Sequence, residues 1–247
     1  MKRIPLCLLL SGLAYLNLSY SLVAGEVSIA VAANFTAALR EIANEFSNAS
    51  GHTTKVTAGS TGQLYSEIRA GSAFDVFLAA DQRRPHLLEI DGMGSGRFTY
   101  AIGKLVLWSN EENQPLNGEV LKQGRYAKLA LANPKLAPYG TAAFEVMDHL
   151  KSDKTAIRKW VVSQDISETH ELISSGTAEM GFIAMSQLLL DNRGSYWEIP
   201  QSLYTPIRQD ALLLKNGQNN PAASEFIDYL KSPEVRVILD KYGYMTE

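Results

Sequence analysis

Cysteine is almost absent from this sequence of 247 residues. Cys7 is the only one, and it lies in an apolar stretch near the first residue. We expect that stretch to be removed from the mature chain. The mature chain is then predicted to have no disulfide, no zinc–thiolate site and no cysteine nucleophile. Its stability must come from a hydrophobic core, which a chain of this length can build.

Basic side chains are also few. The sequence has 23 Lys and Arg against 26 Asp and Glu, a formal net charge of −3. Without Lys2 and Arg3 the balance is 21 against 26, or −5, because no acidic residue is lost with them. This balance argues against a nucleic-acid partner. It also indicates that any bound anion is held by local dipoles and not by a basic surface.

Long hydrophobic runs are missing after the first residues. Lys2 and Arg3 precede an apolar segment at 4–13, which is too short to span a bilayer, and small residues follow up to Ala24. This pattern is typical of a cleaved secretory signal peptide over residues 1–24, although a buried N-terminal helix would share its apolar character. We therefore expect a soluble periplasmic protein.

The rest of the chain alternates between strand and helix patterns. The first helix after Asn34 is indicated by Phe35, Leu39, Ile42 and Phe46, at spacings of four, three and four. Strands are predicted at 27–33, 55–59, 74–81, 128–134, 160–165 and 180–185, and helices follow most of them. This order predicts an α/β fold with mostly parallel sheets and right-handed crossovers.

Two further strand-like stretches, 98–109 and 207–215, bracket the middle of the chain. They predict two lobes joined by two crossings. One lobe would comprise 25–103 plus 210–247, the other 104–209, with a ligand cleft between them.

Four short polar segments lie where a predicted strand ends and a helix begins. They are centred on Asn34, on Ser60 and Thr61, on 137–140 and on Ile166. A helix N-terminus offers free N–H groups and a partial positive charge, which favour anions. In a parallel sheet such loops lie at the carboxyl ends of the strands, where ligands bind. Each segment is also an ordinary helix cap, and Asp165 with Glu168 has capping-box spacing. Their joint placement in two lobes favours an anion site.

A nucleophile elbow is a competing interpretation of the segment 58–62, which has Ala58 where the elbow has its first glycine. Ser60 would then be the nucleophile of a serine hydrolase. The later histidines fit this poorly, because His149 and His170 fall in predicted helices and His86 in a basic loop. His170 also lacks a second histidine four residues later, as a zinc-protease helix would require.

Several motifs together resemble the periplasmic molybdate-binding proteins of ABC transporters. The resemblance covers nearly the whole mature chain, and it implies the two-lobed type II periplasmic binding protein fold. The motifs that carry it are VAANF, GSTGQLYSEIRAGSAFDVFLAADQ, RFTYAIGKLVLWS, ANPKLAPYG, SGTAEMGFIA and FIDYLKSPEVRVILDKYGY.

The resemblance implies a bound molybdate or tungstate and no catalytic residue or cofactor. The matching positions are Asn34 through its amide, Ser60, Thr61 through hydroxyl and N–H, and Tyr139 and Ile166 through backbone N–H. Asn34, Thr61, Tyr139 and Ile166 would contact the metal only through its oxygens. Many relatives have a binding tyrosine where this chain has Ala184. The implied partner is an inner-membrane ABC permease, and the protein is expected to be a monomer.

The ligand chemistry agrees with loops that contain only donors. Molybdate, tungstate and sulfate carry no proton at neutral pH, so every ligand oxygen is an acceptor. The nearby Asp165 is interpreted as a helix cap. A carrier of sulfate or another oxyanion remains an alternative, because the sequence does not give the cavity size. An extracytoplasmic sensor domain is disfavoured, because no transmembrane segment or fused domain is predicted.

Overall fold

The computed structural model describes residues 24–191 and 193–247. The signal peptide predicted at 1–24 lies outside these residues except for Ala24, so it stays a prediction. Among the described residues, every helix is too short or too polar to cross a bilayer.

Ten strands form two five-stranded sheets in the described part of the chain. The strands are β1 (Glu26–Ala32), β2 (Thr53–Gly59), β3 (Val76–Leu78), β4 (Gly94–Gly103), β5 (Leu105–Ser109), β6 (Leu129–Ala132), β7 (Trp160–Ser163), β8 (Met180–Ala184), β9 (Ser195–Glu198) and β10 (Ile207–Leu214). The first sheet has the order β2-β1-β3-β10-β4, and the second has β7-β6-β8-β5-β9. We call the region around the first sheet the first lobe and that around the second sheet the second lobe.

The predicted two-lobed α/β fold is confirmed, but both sheets are mixed. In the first sheet β1 is parallel to β2 and β3, whereas β10 is antiparallel to β3 and β4. In the second sheet β6 is parallel to β7 and β8, whereas β5 is antiparallel to β8 and β9. The antiparallel halves arise because β5 and β10 enter their sheets from the other lobe, without the crossover helix that makes neighbouring strands parallel.

Helices cover the faces of both sheets. They are α1 (Thr36–Ser50), α2 (Thr61–Arg69), α3 (Arg83–Ile90), α4 (Gly118–Lys122), α5 (Pro138–His149), α6 (Ile166–Ser174), α7 (Met185–Asp191), α8 (Pro221–Tyr229) and α9 (Pro233–Lys241). The apolar residues that predicted α1 are all buried, and they pack with residues of α8 and α9. On the other face of the first sheet, Leu64 and Ile68 of α2 pack against Phe77.

Two local predictions were wrong. His86 lies within α3 and not in a loop, because Pro85 is accepted in the first turn and Leu88 is buried on the inner face of the helix. The strand predicted at 74–81 is only β3, three residues long. It ends early because the N–H of Ala80 donates to the side chain of Thr61, at 3.0 Å, and not to a strand carbonyl.

The sheet register brings the four polar segments into two neighbouring pairs. Ala32 at the end of β1 lies opposite Gly59 at the end of β2. In the second lobe, Ala132 at the end of β6 lies opposite Ser163 at the end of β7. The loops that follow these strand ends therefore emerge side by side in each lobe.

Hydrogen bonds join the two lobes next to these loops. The N–H of Gly62 donates to the carbonyl of Leu136 at 2.8 Å. The Arg84 guanidinium donates to the carbonyl of Lys135 at 2.7 Å. The lobes are therefore in contact in this structure, with the four loops between them.

Candidate functional site

The four loops enclose a small cavity between the lobes. The centre of a water-sized sphere can occupy about 10 Å³ of it, which is about the space that one water molecule needs. Its walls come from both lobes and comprise Ala32, Ala33, Asn34, Gly59, Ser60, Thr61, Ala80, Ala137, Pro138, Tyr139, Asp165 and Ile166. All five residues that the sequence predicted as ligand contacts therefore lie at one place.

Ser60 and Thr61 begin helix α2 with two buried hydroxyls. Ser60 is the N-cap, and its Oγ accepts the N–H of Gln63 at 3.3 Å. Thr61 Oγ1 accepts the N–H of Ala80 at 3.0 Å. Because each oxygen serves as an acceptor in these bonds, each hydroxyl still has its hydrogen to donate. The backbone thus fixes both oxygens and leaves two donors for a ligand.

Two backbone N–H groups of the second lobe are left without a side-chain cap. Pro138 has no N–H, so Tyr139 carries the first backbone donor of α5. At α6, Asp165 Oδ1 accepts the N–H groups of Ser167 at 2.8 Å and Glu168 at 3.0 Å. The prediction that Asp165 is a cap is confirmed. Its bonds do not use the N–H of Ile166, which is the first residue of the helix and one of the residues of the cavity wall.

The side chain of Asn34 departs from the role expected for it. Its Nδ2 donates to Gln209 Oε1 at 2.9 Å and to the Tyr244 hydroxyl at 3.0 Å. An amide nitrogen has only two hydrogens, so both are used inside the protein. The expected donation from this amide to a ligand is not what the geometry shows. What Asn34 retains is its main-chain N–H, in the first turn of the short 3-10 helix Ala33–Phe35.

Three buried tyrosines form a polar layer behind the cavity. The hydroxyls of Tyr100 and Tyr139 contact Gln209 at 3.2 and 3.4 Å. The Tyr244 hydroxyl donates to the main-chain carbonyl of Asn34 at 2.8 Å. Burial raises the pKa of all three phenols above its usual range. They therefore keep their protons at neutral pH and remain available as hydrogen-bond donors.

The cavity wall offers donors to an anion and no counter-charge. Asp165 is the one carboxylate on this wall, and its Oδ1 accepts both cap bonds. The wall contains no Lys, Arg or His among its twelve residues. Charge compensation must come from the helix starts and the hydroxyls, which suit a small anion held between the two lobes.

Some supporting residues could not have been found from sequence. Gln209 and Tyr244 are 175 and 210 residues from Asn34 along the chain. Gln187 links two parts of the second lobe, because it accepts the N–H of Ala184 and donates to the carbonyl of Ile166, both at 3.0 Å. Ala184 itself is fully buried and is not part of the cavity wall.

The hydrolase interpretation finds no support in the histidine positions. His149 Nδ1 contacts the carbonyl of Glu145, and His170 stacks on Trp108 with centroids 4.9 Å apart. Within the described residues, Ser60 Oγ has the N–H of Gln63 as its partner and no hydrogen bond to a histidine. The same residues also contain no group of three His, Cys, Asp or Glu that could hold a metal ion.

Comparison with known proteins agrees with this architecture. A sequence model of the bacterial extracellular solute-binding proteins matches residues 27–245. The molybdate-binding protein ModA of Azotobacter vinelandii is 45% identical over 227 residues, covering 90% of each chain. ModA of Rhodobacter capsulatus is 45% identical over 235 residues, covering 94% of this chain and 93% of that protein.

A solved structure, the periplasmic molybdate-binding protein of Azotobacter vinelandii, superimposes with a TM-score of 0.86 at 34% identity. It covers 90% of this chain and 99% of its own. The resemblance seen in the sequence motifs is thereby confirmed. The chain belongs to the family of bacterial extracellular solute-binding proteins.

Proposed function

We propose that this protein captures molybdate in the cavity between its lobes and delivers it to an ABC transporter permease. The observation that carries the proposal is the cavity wall, where free donors from four helix starts converge without a basic side chain. The names of the relatives at 45% identity point to the same ligand.

The proposed donors come from both lobes. The hydroxyls of Ser60 and Thr61 would donate from the first lobe, together with the main-chain N–H groups of Asn34 and Thr61. The N–H groups of Tyr139 and Ile166 would donate from the second lobe. These contacts are to the oxygens of the oxyanion and not to its metal atom.

Several properties of the ligand follow from this donor set. A doubly charged, unprotonated oxyanion accepts at every oxygen and so matches the hydroxyl and N–H donors of the wall, whereas a protonated phosphate has a hydroxyl of its own and matches fewer of them. Tungstate has the same shape and charge as molybdate, so we propose it as a second ligand. Sulfate has the same charge and a smaller size, and it is the principal competing ligand.

We further propose that the chain divides into lobes at 25–103 plus 210–247 and at 104–209, and that the lobes close on the anion. Donors from both lobes face one cavity, so binding favours the closed arrangement. Small-angle scattering is expected to give a smaller radius of gyration with tungstate than without. Equal profiles at saturation would argue against closure.

The proposed setting is the periplasm, reached through a signal peptide at 1–24, with the protein acting as a monomeric carrier and not as an enzyme. The relative with the matching fold is itself named a periplasmic binding protein. A fluorophosphonate probe tests the enzyme alternative. Stoichiometric labelling of Ser60 that disappears in Ser60→Ala would favour a hydrolase.

Calorimetric titration with molybdate, tungstate, sulfate and phosphate tests the main proposal. We expect tight binding of molybdate and tungstate, weak binding of sulfate and none of phosphate. At a concentration about a hundred times Kd, molybdate should add roughly 2.7 kcal/mol to the free energy of unfolding. Tighter binding of sulfate than of molybdate would instead identify a sulfate carrier.

Ser60→Ala and Ser66→Ala form a matched pair for the same titration. Ser60 lies on the cavity wall, whereas Ser66 is on the same helix and donates to the carbonyl of Gly62 at 3.0 Å. Only the Ser60 variant is expected to lose affinity for molybdate. The loss should be modest, because Thr61 and the N–H groups remain.

A further inference from the structure

Asn34 is held at its polar atoms by residues from three distant parts of the chain. Its carbonyl oxygen accepts the Tyr244 hydroxyl at 2.8 Å and the Ser186 hydroxyl at 3.1 Å. Its amide nitrogen donates back to the Tyr244 hydroxyl and to Gln209. The hydroxyls of Tyr244 and Ser186 are also 3.0 Å apart. A closed set of hydrogen bonds therefore fixes a residue of the cavity wall.

These partners belong to different lobes. Ser186 lies on α7, which packs on the second sheet. Tyr244 follows α9 in the first lobe, and the next residue, Met245, pairs with Ile102 beside the chain crossing at Lys104. Asn34, Ser186 and Tyr244 are 3%, 3% and 4% exposed. The hydrogen bonds from Ser186 thus cross the lobe interface directly behind the cavity wall.

We infer that Ser186 and Tyr244 are positioning residues of the anion site, whose hydroxyls hold the Asn34 turn in its donating orientation and retain the lobes around the bound anion. The inference rests on the proposed molybdate binding. Neither side chain lines the cavity, so neither contacts the anion itself.

This role predicts a change in the rate at which the anion dissociates and no change in the rate at which it binds. Ser186 and Asn34 belong to different lobes, so we expect their hydrogen bond to break when the lobes separate to release the anion. When the lobes separate, the Ser186 hydroxyl exchanges Asn34 and Tyr244 for water. The Tyr244 hydroxyl then loses Ser186 and keeps Asn34, which lies in its own lobe. A net hydrogen bond of this kind changes an equilibrium by about three- to tenfold. That factor is expected in the dissociation rate, with the association rate unchanged.

Stopped-flow fluorescence can separate the two rates. The described residues include Trp108, Trp160 and Trp197, all in the second lobe, and their emission can report closure. Ser186→Ala and Tyr244→Phe each remove one hydroxyl and keep the rest of the side chain or its volume. We expect each variant to release molybdate about three to ten times faster than the wild type. Because the two hydroxyls bond to each other, the double variant should release molybdate faster by less than the product of the two single factors.

Two control variants remove buried hydroxyls that stay within the second lobe. Ser109 Oγ donates to the carbonyl of Glu179 at 2.7 Å, and the Tyr126 hydroxyl accepts the indole N–H of Trp160 at 3.1 Å. Ser109→Ala and Tyr126→Phe should lower the melting temperature of the ligand-free protein. Their release of molybdate should remain at the wild-type rate.

The outcomes are distinct. Faster release in the Ser186 and Tyr244 variants alone, with an unchanged association rate, supports the inference. It is overturned if release stays at the wild-type rate, if only association slows, or if the controls accelerate release equally. A wild-type protein that binds no molybdate overturns the proposed function itself, which the titration reveals before any variant is made.

Discussion

The N–H of Gly62 in the first lobe donates to the carbonyl of Leu136 in the second lobe at 2.8 Å. A Cβ added at Gly62 would lie 2.9 Å from the Leu136 Cα and 3.0 Å from its carbonyl oxygen. These are backbone atoms of a neighbouring loop, so they cannot move aside as a flexible side chain would. The absence of a side chain at Gly62 is therefore what lets the two loops approach as closely as they do in this structure.

Gly62→Ala should weaken binding without weakening the fold. Alanine favours the helix by about 1 kcal/mol over glycine, so the ligand-free melting temperature should stay the same or rise. Overpacking at the interface costs about 1–3 kcal/mol, which lowers molybdate affinity by a factor of about 5 to 150. Gly118→Ala is the control, because the nearest atom to its added Cβ is at 3.4 Å, away from the lobe interface. Wild-type affinity in Gly62→Ala would show that the lobes need not approach this closely.

Thr61→Val tests the hydroxyl that α2 presents to the cavity. Valine keeps the shape but removes the acceptor for the Ala80 N–H and the proposed donor to the anion. We expect ligand-free stability to fall by about 1–3 kcal/mol and molybdate affinity to fall at least about tenfold. Thr61→Ser should retain most of both. Thr141→Val is the control, because the Thr141 hydroxyl donates to the carbonyl of Pro134 outside the cavity. Calorimetry and urea unfolding measure the two quantities, and unchanged affinity in Thr61→Val would remove this hydroxyl from the site.

Asn34→Ala distinguishes a supporting amide from a ligand-binding one. The amide bonds to Gln209 and Tyr244, so its removal should lower the free energy of unfolding of the ligand-free protein by about 1–3 kcal/mol. Urea unfolding without molybdate is the measurement. Unchanged ligand-free stability together with lost binding would restore the amide as a direct donor to the anion.

The buried tyrosines predict a loss of stability at high pH. Burial raises the pKa of Tyr100 and Tyr139 well above the usual value of 10. The folded protein therefore keeps these protons at a pH where the unfolded chain releases them. Their contribution is complete below about pH 10 and declines as the pH rises further. Urea unfolding at about pH 8 and pH 10.5 should show the decline, and Tyr100→Phe should reduce it. An equal decline in the variant would assign the effect to other groups.

Much of the fold could be predicted because its signals are local. The spacing of Phe35, Leu39, Ile42 and Phe46 marks the buried face of α1 and its N-cap, and all four are buried in the structure. The sequence did not show that half of each sheet is antiparallel, because strand direction depends on where a distant segment enters the sheet. Helix α3 was missed since its eight residues include only a few apolar positions.

The residues of the candidate site also include some that could be predicted from sequence and some that could not. Four site residues could be identified because a strand end, a polar turn and a helix start can all be recognised in a sequence; they are Ser60, Thr61, Tyr139 and Ile166. The partners of Asn34 were not, because Gln209, Ser186 and Tyr244 are brought to it by tertiary packing alone. The amide therefore seemed free for a ligand until the fold supplied its other neighbours.

The two sheet orders also relate the lobes to each other. Strands β2, β1 and β3 correspond to β7, β6 and β8. In each sheet the next strand, β10 or β5, is antiparallel and is the one that the chain forms as it enters from the other lobe. The pair Ser60–Thr61 at the start of α2 then corresponds to Asp165–Ile166 at the start of α6, each pair being an N-cap and the first helical residue. The cavity therefore lies between two topologically equivalent half-sites, one in each lobe. A tetrahedral oxyanion has twofold axes of its own, so it can direct two equivalent oxygens at each lobe.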